Sequence, residues 1–279
     1  MSGPVRRNAY IRVMTENDLK AAPDPDRALL QVSGADRQSF LQGLVTNDLN
    51  RMARDGIVYA AMLTPQGKYL CDFFLIARPD AILIDAPAQA AADLAKRLGM
   101  YRLRAAVEIA PLEMAVTRGL GPAPEGALPD PRHPELGWRL YGQALDAGTP
   151  VDWPAREVAL RVPAHGADLL PNDSYILEMG FQRLNGVDFR KGCYVGQEVT
   201  ARMQHKTALR KGLVAVRLEG TAATGDPILT AEGREAGRLG SIAGDRALAF
   251  LRLDRAGGAL TAGGARVIPE VLPETAPAG

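Results

Sequence analysis

This chain has little of the chemistry that marks many functional classes at first reading. It has two cysteines and three histidines in 279 residues. Two distant cysteines build neither a disulfide framework nor a CxxC metal site, and a reducing compartment is the simpler setting. With so few Cys and His, local spacing assembles no complete zinc site. Aromatic residues are scarce at 5%, and the formal net charge is only +1. Both features argue against a general nucleic-acid or membrane-surface binder. Apolar runs stay short of the ~20 residues that span a bilayer. The opening stretch "MSGPVRRNAYIRVMTENDLK" has no apolar core of the kind a secretory signal needs. Nor is there an internal repeat at a solenoid period.

What is present is a chain long enough for one large or two to three small domains. Apolar residues make up 47% and supply a sizeable core. "ALLQVSG" reads as a strand ending at Gly34. "ADRQSFLQGLV" follows with Phe40, Leu41 and Leu44 at helical spacing, and "TNDL" closes that helix. "IVYAAMLT", a "PQGK" turn and "YLCDFFLIA" form a hairpin. "DAILIDAP" is a strand, and "AQAAADLAKRLGM" is a helix stopped at Gly99. "AAVEIAPLEMAVTRGL" returns to strands. The stretch 121–136, rich in Pro and Gly, is an exposed connection. "DWPAREVALRV" starts a helix at Asp152 with Pro154 in its first turn. "NDSYILEMGFQRL" reads as a short apolar helix behind Asn172 and Asp173. Hairpins interspersed with helices give an α+β fold. Short strands with Gly-rich turns from residue 212 onward give a small C-terminal β-barrel, with the boundary near Lys211. The tail 273–279 is expected to be disordered.

The densest cluster of functional residue types is "FRKGCYVGQEVTARMQHKTALRKGL". Cys193 sits between Gly192 and Gly196, beside Lys191 and Tyr194. Two readings stand for it. It is a small buried hydrophobe filling a turn, or a thiolate favoured by its cationic neighbours. Arg183, Arg190, Lys191, Arg202, His205, Lys206, Arg210 and Lys211 form a local basic group, either an anion site or a solvated face. Asp72 lies among Leu70, Phe73 and Phe74 and should face opposite to Cys71, one toward the core and one toward a cleft. Glu178 lies among Leu177 and Met179. There it either accepts paired N–H donors from a heterocycle or sits on the exposed side of its helix. Asn47 and Asp48 end a helix or line a cleft.

These segments carry a resemblance. "KGCYVGQE" continued to Arg202 resembles the signature of the YgfZ family, folate-binding relatives of the T-protein aminomethyltransferase of the glycine cleavage system. "FLQGLVTNDL", "LTPQGKYLCDFFL", "LEMGFQRLNGVDFRKGC" and "ALRKGLVAVRL" follow that pattern in order, and the likeness covers Ala28 to about Leu272. It implies a T-protein-like, multi-part folate-binding fold over 28–211, after an N-terminal extension 1–27, and finished by the barrel over 212–272. It implies tetrahydrofolate or a derivative as ligand. It also implies a role in maturation or repair of iron–sulfur proteins, including tRNA-modifying enzymes. Asp72 matches the T-protein carboxylate near the reacting folate nitrogens, and Glu178 the one that holds the pterin. Asn47, with Asp48, matches a family loop near the cleft, and Asn47, Lys191, Tyr194 and Arg202 are expected with Glu178 to bind the folate. The "KGCY" cysteine departs from the T-protein, so Cys193 is expected to act as a redox-sensitive thiolate or transient cluster ligand. Three functional classes follow: folate-dependent iron–sulfur assembly factor, folate-dependent aminomethyl or methyl transferase, and RNA-binding accessory module. The expected partners are folate and iron–sulfur assembly proteins or client enzymes. The expected place is the cytoplasm, or the mitochondrial matrix of a eukaryote.

Overall fold

The computed structural model describes residues 19–205 and 209–270. Three antiparallel sheets organise it. The first holds β2 (Arg27–Ser33), β3 (Ile57–Leu63), β4 (Tyr69–Ala77), β5 (Ala81–Pro87) and β6 (Glu108–Leu112), in the order β3-β4-β5-β2-β6. The second holds β1 (Lys20–Pro23), β7 (Ala115–Leu120), β8 (Leu128–Pro129) and β9 (Trp138–Gly142), in the order β1-β7-β9-β8. The third is a closed six-stranded barrel of β10 (Lys211–Glu219), β11 (Pro227–Thr230), β12 (Glu235–Ala243), β13 (Arg246–Arg252), β14 (Leu260–Ala262) and β15 (Ala265–Pro269). The α+β class and the C-terminal barrel stand as read from the sequence. β1 lies within the stretch set apart as an N-terminal extension, and it pairs with β7.

Strands β3, β4 and β5 are buried along nearly their whole length, because both faces of the first sheet are covered. Val58, Ala60, Met62, Cys71 and Phe73 face one core, closed by α1 (Arg37–Gln42), α2 (Met52–Asp55) and α3 (Ala88–Tyr101). Tyr59, Ala61, Leu63, Tyr69 and Phe74 face a second core. That core also takes Val116 and Tyr141 from the second sheet, Val158 from α4 (Trp153–Ala159), Phe181 and Leu184, and Leu213 and Leu248 from the barrel. One apolar cluster therefore joins all three sheets. Burying a side chain of this size stabilises by about 1.5–3 kcal/mol.

Three sequence expectations are corrected. Helix α3 does not stop at Gly99 but runs to Tyr101. Gly99 does not take a positive φ, so no left-handed cap ends the helix there. "NDSYILEMGFQRL" is not a helix but a run of turns, in which Asn172 and Gly180 adopt positive φ. Its apolar residues are buried from several directions at once, a pattern that imitates helical periodicity. Asp48 does not end α1. Its carboxylate accepts the Asn50 N–H at 3.0 Å and caps the next turn, Leu49–Arg51. The α4 reading holds, with Asp152 accepting the Ala155 N–H at 2.9 Å.

Candidate functional site

Asp72 owes its position to a β-bulge. The β3–β4 register pairs Met62 with Cys71 and then Leu63 with Tyr69. One extra residue on β4 puts Leu70 and Cys71 in the same core and turns Tyr69 and Asp72 together into the other. Asp72 and Cys71 do face opposite ways, yet both are buried, so neither opens directly to a surface. The Asp72 carboxylate accepts the Tyr69 hydroxyl at 2.6 Å and the Tyr59 hydroxyl at 3.0 Å. Burial and the neighbouring carboxylate push both phenols well above their ordinary pKa, so both stay protonated donors. The Tyr69 hydroxyl also lies 2.7 Å from His165 Nδ1. His165 escaped the sequence reading, since a lone histidine in a loop carries no local signal.

Glu178 lines a separate cavity of about 170 Å³, with Arg161, Arg183, Lys211, Leu177 and Leu213 among its walls. It lies in a turn, half-buried, with its carbonyl accepting the Leu213 N–H at 2.9 Å. Burial raises its carboxyl pKa, against the pull of Lys211 and Lys68. Among the described residues no hydrogen-bond donor or ion-pair partner reaches that carboxylate. A half-buried carboxylate without donors is chemically suited to an N–H-rich heterocycle such as the pterin of tetrahydrofolate. Asp72 already holds two phenolic donors and does not line this cavity.

The "KGCYVGQE" loop is fixed at several points. The Lys191 ammonium donates to the carbonyls of Gln42, Val45 and Asn47 at 2.7, 2.5 and 3.0 Å. Burial lowers its pKa to about 8, while Asp48 and Asp188 pull it upward. Its three protons are thus spent on the segment after α1, and this anchoring replaces the thiolate-favouring role expected for it. Val195 N–H bonds the Gly43 carbonyl at 3.2 Å, and Asp188 N–H bonds that of Thr46 at 3.0 Å. Tyr194 is buried in the core, below the Lys191 ammonium at 5.0 Å. Gly196 has φ +85, and a Cβ there would meet the Thr64 carbonyl oxygen at 2.6 Å. The glycine serves close approach to the β3–β4 turn, where Gly67 lies opposite, and not a ligand. Gly192 has no such neighbour. Between these anchors Cys193 is exposed, which removes the reading of it as a buried turn filler.

Asn47 ties this loop to the first sheet. Its amide donates to the carbonyls of Tyr59 and Asn185 at 2.8 and 2.6 Å. Lys191, Asn47, Tyr59 and Asp72 are consecutive links in one contact chain, whereas Glu178 is reached from the Lys211 side. Arg202 lies exposed on α5 (Gln197–His205). The basic group does not gather as a whole, although Arg183 and Lys211 both line the Glu178 cavity. Arg183 donates to the carbonyls of Leu160 and Arg161 at the end of α4, and Lys191 is buried in its loop. Lys206 lies outside the described residues. Among the described residues no group of three or more His, Cys, Asp or Glu is placed to hold a metal ion.

A larger feature was not read from the sequence. Asp85 accepts from Arg27 at 2.6 Å, Arg139 at 3.0 Å and Tyr141 at 2.8 Å. Asp130 accepts from Arg139 at 3.1 Å and Arg132 at 2.9 Å. Arg118 pairs with Glu157 at 2.7 Å. The guanidinium groups of Arg27, Arg132 and Arg139 lie 5.4, 4.9 and 3.9 Å from the Phe74 ring centre. The only sequence-level trace of this network is Asp85 inside the apolar strand "AILIDAP".

Two antiparallel sheets, a turn-rich segment carrying Glu178 and a closed barrel define an aminomethyltransferase-like fold. Glycine cleavage system aminomethyltransferase T from Bartonella henselae superposes with a TM-score of 0.68 over 90% of this chain and 84% of that one, at 13% identity. Residues 210–277 match the CAF17 C-terminal beta-barrel domain. The human mitochondrial iron-sulfur cluster assembly factor IBA57 is 32% identical over 278 residues, covering 84% of this chain and 78% of that protein. The mouse protein gives the same identity over 280 residues and the same coverage. The Neurospora crassa homologue is 30% identical over 249 residues, and the match spans 75% of this chain but only 56% of that longer protein. The chain belongs to the IBA57 family of iron–sulfur cluster assembly factors. The relatives are named mitochondrial, and among the described residues no helix is long and apolar enough to cross a membrane.

Proposed function

We propose that this protein is a tetrahydrofolate-binding accessory factor for the assembly or repair of iron–sulfur proteins, tRNA-modifying enzymes among its clients. The observation that carries the reading is the exposed Cys193 thiol, held on a loop pinned through Lys191, Val195 and Asp188. A soft ligand on a fixed scaffold suits transient contact with a cluster or a client thiol. Glu178 accepts the pterin N–H donors, and Asp72, which lies outside that cavity, handles protons through the hydroxyls of Tyr59 and Tyr69. Lys191, Asn47 and Tyr194 hold the loop that presents the thiol, and Arg202 lies on the helix that follows it.

The decisive experiment restores the Cys193→Ala variant to cells lacking the native protein. Iron–sulfur enzyme activities should stay at the level of the deletion. Full activity in those cells would remove Cys193 from the mechanism. For folate, titration calorimetry with tetrahydrofolate should give binding in the parent chain and a loss of tenfold or more in Glu178→Gln, since an amide carries one acceptor where the carboxylate has two. The transferase reading has one observation of its own, the buried Asp72 with its protonated phenols. Product from tetrahydrofolate and an aminomethylated lipoyl carrier would favour it.

A further inference from the structure

A line of hydrogen bonds leads from the buried Asp72 to the half-buried His165. Tyr69 is its middle member, and proton counting fixes its direction. A phenol has one proton to donate. Tyr69 lies 2.6 Å from the Asp72 carboxylate and gives that proton to it. The Tyr69 oxygen also receives the Asp72 backbone N–H at 3.2 Å. The remaining contact, 2.7 Å to His165 Nδ1, must then run from nitrogen to oxygen. His165 is thereby held as the Nδ1–H tautomer, with its lone pair on Nε2.

We propose that His165 and Tyr69 form a proton relay through which Asp72 exchanges protons with the outside of the core. The proposal rests on Asp72 as the proton-handling carboxylate of the function given above. The step balances. A solvent proton adds to His165 Nε2, the Nδ1 proton passes to the Tyr69 oxygen, and the Tyr69 proton passes to Asp72 Oδ1. Asp72 becomes neutral, Tyr69 is unchanged, and His165 is left as the Nε2–H tautomer. The reverse sequence discharges the acid. Without such a path, Asp72 at 5% exposure has, among the described residues, only the two phenols as side-chain proton donors.

The loop that carries His165 is built to hold this geometry. Asp168 accepts the Ala164 N–H at 2.8 Å, and the Ser241 N–H and hydroxyl at 2.9 and 2.5 Å. Ser241 belongs to barrel strand β12, and a Cβ on its neighbour Gly240 would sit 1.8 Å from the Asp168 carboxylate. Gln89 of α3 donates to the His165 carbonyl at 3.3 Å. The titratable and charged groups facing the imidazole are Tyr69 and Asp72 from β4, with Arg27 from β2 and Tyr59 from β3 behind them. Burial and Arg27 lower the His165 pKa and Asp72 raises it. Burial thus favours the neutral ring.

Nitrogen-15 NMR of the full-length chain tests the relay without folate. The chain has three histidines, so His165→Gln assigns the signal. The parent should show His165 as the Nδ1–H tautomer. Tyr69→Phe should release it to the Nε2–H tautomer that free imidazole prefers. Asp72→Asn should lower its titration midpoint, because the facing negative charge is gone. Tyr69→Phe removes one oxygen and keeps the ring, so it decides the matter should Asp72→Asn fail to fold. An Nε2–H tautomer in the parent, or a tautomer indifferent to Tyr69→Phe, would overturn the relay. Loss of folate binding with an intact NMR signature would instead overturn the function and leave the relay standing.

Discussion

At the scale of single residues, Glu178 and Lys191 are opposite cases. The Glu178 carboxyl pKa is raised by burial. Such a group destabilises the fold while it is ionised, so stability should rise as pH falls through its folded value toward the unfolded one. Glu178→Gln should therefore raise the melting temperature of the ligand-free protein at pH 7 while weakening tetrahydrofolate, the trade expected of a binding residue. A lower melting temperature in that variant would mark the carboxylate as structural. Lys191 has its three ammonium protons on three carbonyls. Lys191→Met strands those acceptors in a buried loop and should cost about 2–4 kcal/mol by urea denaturation. Arginine should not rescue it, because a planar fork does not match three converging carbonyls. Cys193→Ala should leave stability within about 0.5 kcal/mol, as for exposed positions generally. The residue types at Cys193 and Glu178 were legible in the sequence. Lys191 was legible as important but not in its role, since no local pattern says that its partners lie some 145 residues away.

At the scale of elements, the "VGQE" turn and the "PQGK" hairpin turn act as one unit. Gly196 and Gly67, both at positive φ, pack against each other's segments, with a Gly67 Cβ falling 2.8 Å from the Val199 Cβ. Gly196→Ala adds backbone strain to a clash with the Thr64 carbonyl. It should cost about 2–4 kcal/mol, the range of special-φ and overpacking mutations. Amide exchange should then speed up in the Cys193 loop and the hairpin turn together. Faster exchange confined to residues 192–196 would show that the two turns are independent. The hairpin was readable because a glycine turn joins two continuous apolar runs, and the barrel because short strands alternate with glycine turns. The bulge that aims Asp72 was not, since it depends on the register between two strands. The 172–184 stretch was misread as a helix because turns buried on several sides resemble a helical stripe.

At the scale of the whole molecule, the buried ion network joins the first two sheets. Arg139 on β9 bridges Asp85 on β5 and Asp130 beside β8. Burial alone would raise both acids, but their arginines outweigh it and hold both below the usual carboxylate range, as Arg118 and Arg132 do for Glu157. Acids with depressed native pKa stabilise the fold above their unfolded value, about 4. That contribution is lost as pH falls below it through the native values. Glu178 and Asp168, whose pKa values burial raises, have the opposite slope. The network is therefore best read as a difference between variants. Arg139→Met leaves Asp85 with Arg27 and Tyr141, and Asp130 with Arg132, so each acid keeps a cation but loses the bridge. The expected cost is about 3–5 kcal/mol at pH 7, the usual penalty for breaking a buried pair from one side. The acid unfolding midpoint, followed by near-ultraviolet circular dichroism, should move to higher pH. Adding Asp85→Asn to Arg139→Met should cost less than the two single changes summed, because the second removes the charge that the first left short of a partner. Strict additivity, together with an unmoved acid midpoint, would mean that the apolar cluster shared by the three sheets holds the assembly together and that these charges only fill space within it.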